Sequence, residues 1–265
     1  MSTKFEITFL CHGESTGNVA GCFQGQSEYP LSENGSDQAK ALATRWKEEG
    51  VSFDKIICSP LSQAKQTAEI INSHHQFPVE FDPLWMERDN GTLAGMRRED
   101  LKVLNPRLDY IDLYDPIGET GESDWDLFLR AGKALQSIFQ QTPGKYLIVS
   151  HGGLLNKVLN NIISIKPQVD FRGVHFRFFN AGYTKVSYSP EENHYRILCV
   201  NNRAYINKDE SVQCPYQFTL LRHGESEGNA QQIYQGQLDY PLSSKGREQA
   251  AALTNFWAMN NVEFD

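Results

Sequence analysis

The chain has 265 residues, with 25 Lys and Arg against 33 Asp and Glu, a formal net charge of −8, and 40% hydrophobic residues. That composition belongs to a globular chain able to bury a core. The negative balance disfavours nucleic acid and anionic membrane as partners, and no stretch approaches the about 18 apolar residues of a membrane helix. Five cysteines, an odd number without a Cys-x-x-Cys pair, read as the reduced thiols of a cytoplasmic protein.

In chain order, the apolar run at residues 5–11 predicts a strand ending in Cys11-His12-Gly13. Ser32-Glu33-Asn34 starts a helix whose Ala39, Leu42, Ala43 and Trp46 share one face. Residues 55–58 form a second buried strand, and Pro60 opens a helix to about Ile71. A helix over about 123–140 follows, with Trp125, Phe128, Leu129, Leu135 and Ile138 as apolar residues. Residues 145–150 predict a strand that turns through Gly152-Gly153 into a helix carrying Leu154, Leu155, Val158 and Leu159. Two late strands, about 182–189 and 194–200, meet near Glu191-Glu192-Asn193. Strand–turn–helix repetition of this kind predicts an α/β three-layer sandwich, a mostly parallel sheet with helices on both faces. Sites in such sheets lie at the carboxyl ends of strands, which sets His12 and His151 on one edge.

Residues 5–54 also align without gaps on residues 216–265, with 24 of 50 positions identical. The shared skeleton is H-G-E-S, G-N, Q-G-Q, Y-P-L-S and V-x-F-D. A domain-sized period excludes a solenoid. The expected organisation is a full unit at 1–206, a polar linker at 207–215 ending in Pro215, and the opening of a second unit at 216–265.

A neutral imidazole at a helix N-terminus can attack a phosphoryl group received by backbone N–H groups. The motifs "HGES" with Asn18, "PLSENG", "SPLSQAKQTA", "ERDNGTLAG" and "VSHGG", in this order, resemble the histidine phosphatase superfamily, the phosphoglycerate mutase-like proteins. The resemblance covers residues 5 to about 206, and "FTLLRHGESEGN" opens a second such unit. It implies that His12 is the nucleophile that becomes phosphohistidine, that His151 stabilises the phosphoryl oxygens, and that Glu87 is the general acid and base. Gly13, Ser15 and Asn18 would cradle phosphate, and Arg88 and Arg98 would contact substrate. It implies a small phosphorylated molecule as partner, no metal and no organic cofactor.

Two positions depart from the family pattern. Cys11 stands where the family has arginine before His-Gly, and Gln63 stands where a second phosphate-binding arginine follows "SPLS". A charge-assisted hydrogen bond is worth about 1.5–3 kcal/mol, and losing two preorganised donors costs on the order of 10⁴ in rate. The resulting expectation is a slow phosphomonoesterase, or alternatively a degenerate phosphate-ligand-binding or regulatory pseudophosphatase module. The second copy keeps Arg222 and His223, so strand exchange or a homodimer through 216–265 could supply the missing pair. Cys11, His12, His151 and Cys58 also suit zinc by ligand type, although neighbouring Cys11 and His12 rarely share one metal's geometry.

Overall fold

The computed structural model describes residues 3–104, 113–168, 174–203, 219, 221–260 and 262. The chain divides into two units, Met1–Lys208 and Asp209–Asp265. The expected linker at 207–215 lies outside the described residues.

In the first unit, β1 (Phe5–Cys11), β2 (Lys55–Cys58), β3 (Val79–Phe81), β4 (Lys145–Ser150), β5 (Tyr183–Ser189) and β6 (His194–Asn202) form one sheet in the order β3-β2-β4-β1-β5-β6. The pairings β2–β3, β2–β4 and β1–β4 are parallel, while β5 runs antiparallel to both neighbours. Side chains alternate along each strand, so the two faces bury different sets. Phe5, Ile7, Phe9 and Cys11 pack with Ile57, Ile148 and the helices α5 (Asp124–Phe139) and α6 (Gly152–Ile162). Leu10, Ile56, Cys58, Leu147 and Val149 pack with α2 (Glu33–Glu48) and α3 (Ser62–Asn72). The result is the three-layer α/β sandwich.

Boundaries follow from local chemistry. Ser32 caps α2 by accepting the Gly35 N–H, and Ser123 caps α5 through a reciprocal box with Asp126. Helix α3 starts at Ser62, two residues past Pro60, with Leu61 as an extended cap residue. The inward face of α5 is Leu127, Ala131, Ala134, Leu135 and Ile138, whereas Leu129 turns outward and is 47% exposed. Two short helices, α1 (Thr16–Val19) and α4 (Arg98–Leu104), and two 3-10 turns, Pro83–Trp85 and Gly91–Leu93, complete this unit among the described residues. The three residues of β3 are all exposed, which is why no apolar pattern announces that strand.

The second unit repeats the opening geometry by itself. Ser226 caps α7 (Glu227–Ala230) with a box to Asn229, as Ser15 caps α1 with a box to Asn18. Ser243 caps α8 (Ser244–Met259) and bonds Glu225, as Ser32 bonds Glu14. A Cβ on Gly35 would lie 1.9 Å from the Glu14 carbonyl, and one on Gly246 would lie 2.0 Å from that of Glu225. Only glycine permits the histidine turn to press on the helix start this closely. The segment 216–222, which matches β1 in the repeat, falls mostly on residues outside those described.

Candidate active site

Sheet register brings the two histidines together. Cys11 pairs with Ser150 across β1 and β4, so His12 and His151 follow side by side at the carboxyl edge. Their ring centroids are 5.0 Å apart, and both are buried. His12 Nδ1 lies 2.6 Å from the Gly13 carbonyl, an acceptor only, so Nδ1 carries the proton and Nε2 keeps its lone pair. Burial lowers the His12 pKa to about 4, partly opposed by the Gly13 carbonyl. The ring is therefore a neutral nucleophile at neutral pH.

This has a consequence for stability. An unfolded imidazole takes up its proton near pH 6.5, whereas His12 in the fold resists protonation until about pH 4. Between those values the unfolded chain binds more protons, so stability is full above about pH 6.5 and declines as pH falls towards 4. The decline from this one group is roughly 3 kcal/mol. Urea midpoints measured from pH 7 to 4.5 should fall less steeply for His12→Asn than for the parent; parallel curves would refute the assignment.

His151 is pushed well below the ordinary imidazole pKa, first by burial and then by the neighbouring His12 and Arg130, which oppose a second positive charge. Its Nε2 lies 2.7 Å from the Ser59 hydroxyl, which also accepts the Leu61 N–H. Ser59 arrives there because Cys58 pairs with Val149 across β2 and β4. A Ser59 hydroxyl that donates to Nε2 sets the ring proton on Nδ1.

Glu87 stands at the N-terminus of α6. Its carboxylate accepts the N–H groups of Gly153 at 2.9 Å, Leu154 at 3.0 Å and Arg88 at 2.8 Å. Negative charge is favoured at that helix end. A Cβ on Gly153 would sit 2.5 Å from Glu87 Oε1, so the glycine admits the carboxylate. Arg130 fixes the segment from below: it donates to both oxygens of Glu122 at 2.6 Å and to the carbonyls of Leu84, Met86 and Glu87. Arg88 is held by the Glu122 carbonyl and lies 3.6 Å from Asp124, while its Nη2 is buried without a partner among the described residues. Arg98 is elsewhere, its backbone bonded to Gly21 and its guanidinium 5.9 Å from the Phe23 ring, with no bond to the histidines or Glu87.

The turn after His12 is tied down on every side. The Gly13 N–H meets the Thr67 hydroxyl, which in turn donates to the Gln63 carbonyl. Ser15 is fully buried, its hydroxyl engaged by Asn18 and Gln24. Asn18 Oδ1 accepts from Ser15 and from Asn180. The His12 carbonyl accepts from Ala181 N–H and Asn180 Nδ2. Ala181 has φ +55, the left-handed region that costs a residue with a Cβ roughly 1–2 kcal/mol.

At the two departing positions, Cys11 and Gln63 are buried. Burial and the Glu87 carboxylate push the Cys11 thiol far up, against a downward pull from Arg203, so it is a neutral SH group. Cys58 is likewise raised, by burial, and donates to the Ser59 carbonyl. Among the described residues no group of three or more His, Cys, Asp or Glu is placed to hold a metal ion, and no helix is long and apolar enough to cross a membrane. In the second unit Arg222 and His223 are exposed and line an open pocket of about 540 Å³ with Ser226, Asn229, Tyr234 and Gln235. The sequence sets Ser59 at a strand end without showing its role, and it does not point to Arg130 or Asn180; each is joined to the site by a hydrogen bond between distant segments.

Comparison with known proteins accords with this geometry. The family model for the histidine phosphatase superfamily (branch 1) matches residues 7–203 and again 218–265. The chain is 32% identical over 206 residues to the uncharacterized phosphatase PhoE of Bacillus subtilis, across 76% of this chain and 98% of that protein. It is 28% identical to the adenosylcobalamin/alpha-ribazole phosphatase of Escherichia coli, across 75% of this chain and 96% of that one. The crystal structure of the alpha-ribazole phosphatase from Shigella flexneri superposes with a TM-score of 0.65 at 26% identity, covering 77% of this chain and 100% of that chain. With most of its length matched in sequence and its first unit matched in fold, the chain belongs to branch 1 of the histidine phosphatase superfamily.

Proposed function

We propose that the first unit hydrolyses small phosphomonoesters through a phosphohistidine on His12, slowly because Cys11 and Gln63 replace two arginines. The observation that carries this reading is the neutral His12 ring, its proton fixed on Nδ1 by Gly13, beside His151 at one sheet edge. In the first step Nε2 attacks phosphorus as the ester P–O bond breaks, and Glu87, entering the step as the carboxylic acid, gives the leaving oxygen its proton. In the second, water cleaves the P–N bond, its proton returns to Glu87, and inorganic phosphate leaves. His151 Nδ1–H and the Asn18 N–H₂ group face the phosphoryl oxygens, with Gly13 and Ser15 shaping the turn. Two curated relatives that are phosphatases by name support hydrolysis.

Cys11 and Gln63 also favour a second reading, a module that binds a phosphorylated ligand without turning it over. One experiment separates the two. The chain is mixed with a radiolabelled phosphomonoester, quenched, and searched for acid-labile label by peptide mass spectrometry. Label on His12 that is absent in His12→Asn is the expected result; an unlabelled parent that still binds inorganic phosphate establishes the module instead. Exchange of 216–222 for 5–11 between copies would set Arg222 beside Glu87. It would appear as a dimer whose turnover is lost in Arg222→Met.

A further inference from the structure

We propose that Arg203, at the carboxyl end of β6, is the cation that meets the phosphoryl group in this chain, taking the part that Cys11 and Gln63 cannot play. The inference rests on the phosphate-site reading above and names a residue that the family motifs do not.

The sheet places Arg203 on the correct edge. Strand β5 is antiparallel to both β1 and β6, so β6 runs parallel to β1 and ends where β1 ends. Leu10 pairs with Tyr183, and Tyr183 pairs with Asn202. Arg203 is therefore level with Cys11, two strands away, which is about 9–10 Å between backbones. An arginine side chain spans most of that gap. Its charge acts on the buried Cys11 thiol in the sense opposite to Glu87, so its field reaches the position from which the family arginine is missing.

A platform holds the guanidinium. The Arg203 guanidinium carbon lies 4.8 Å from the centroid of the Phe179 ring, and that of Arg177 lies 4.4 Å from the same centroid. Phe179 is fixed by its neighbours: its N–H donates to Asn201 Oδ1 at 3.0 Å, and its carbonyl accepts the Gly182 N–H. Asn180 and Ala181, the next two residues, both donate to the His12 carbonyl. Asn201 adopts φ +48, and a Cβ on Gly182 would lie 2.2 Å from its side-chain oxygen. The aromatic ring thus bridges the end of β6 and the nucleophile's own backbone. Two like charges on one ring repel each other, and a bound dianion relieves that repulsion.

Two other cations of this unit are held by acidic partners. Arg130 is saturated by Glu122 and three carbonyls, and Lys157 is paired with Asp124 at 2.6 Å. In a chain of net charge −8, a dianionic group needs local positive charge to overcome the average field.

The test measures inorganic phosphate binding to the whole chain by calorimetry, alongside p-nitrophenyl phosphate turnover. Arg203→Met should weaken phosphate binding at least tenfold. Arg196→Met, which removes an exposed charge from the same strand, should leave it unchanged. Cys11→Arg placed in the Arg203→Met background should restore binding to within about threefold, which a merely structural role for Arg203 would not produce. Arg203→Gln keeps a polar side chain and serves if Arg203→Met does not fold, with the same tenfold loss expected. Phosphate binding unaltered in the Arg203 variants, or no binding by the parent at millimolar phosphate, overturns the inference. Binding that depends on Arg203 without any phosphohistidine sustains it while removing the catalytic reading. Turnover indifferent to Arg203 does the reverse.

Discussion

Replacing Cys11 and Gln63 together by arginine should raise kcat/KM on p-nitrophenyl phosphate by about 10²–10⁴. Both positions are buried at the edge where His12 lies, Cys11 on the preceding residue and Gln63 on the first turn of α3. The Gln63 carbonyl is linked to the Gly13 N–H through the Thr67 hydroxyl, so a fork growing from residue 63 starts within two hydrogen bonds of the histidine turn. Residue 11 feels the negative charge of Glu87 and the positive charge of Arg203. A guanidinium there gains the first as a counter-ion and is opposed by the second. Each fork offers two charge-assisted donors to the equatorial phosphoryl oxygens, whose charge is highest in the transition state. Because the oxygens are shared, the two gains will not multiply, and the double variant should exceed either single one by less than their product.

The measurement also separates a slow enzyme from a lost one. A parent with weak turnover and a double variant of much higher kcat with little change in KM would show that the missing donors act in the transition state. A folded double variant no faster than the parent would mean that Cys11 and Gln63 are not what limits this site.

Much of the frame was legible because strands and helices announce themselves by periodicity. The run ending in Cys11 and the run ending in Ser150 are largely apolar, as strands covered on both faces tend to be, and the structure pairs these two ends residue against residue. Ser32 and Ser123 marked helix starts by capping chemistry that depends on only four residues. Glu87 came into view through family resemblance alone, since nothing in "WMERDNG" states that its carboxylate will meet Gly153 and Leu154. The contact of Ser59 and the position of Arg203 were hidden for a different reason. Their places are set by strand register, Cys58 against Val149 and Tyr183 against Asn202, and register is a property of pairs rather than of any one segment. Ser15 illustrates a residue whose motif is visible but whose hydroxyl closes its own turn.

The largest stability effect outside the apolar core should come from Arg130→Met, at about 4 kcal/mol. Its guanidinium makes five hydrogen bonds, two to the Glu122 carboxylate and three to the carbonyls of Leu84, Met86 and Glu87. The side chains of Arg130 and Glu122 are 15% and 19% exposed, so little water is present to take over. Methionine fills most of the volume but leaves a carboxylate and three carbonyls without their donor, and unmet groups of this kind cost about 1–3 kcal/mol each before relaxation. The damage should also reach the chemistry, because the same carbonyls fix the chain that carries Glu87 to the start of α6. Arg130→Met is therefore expected to lower kcat by an order of magnitude or more even at temperatures where it is fully folded. The double variant Arg130→Met/Glu122→Met, which removes the stranded carboxylate as well, should recover part of the stability and none of the rate. Urea unfolding gives the first quantity and turnover below the melting range gives the second. A single variant within 1 kcal/mol of the parent would show that the 84–87 segment holds its place without this clamp.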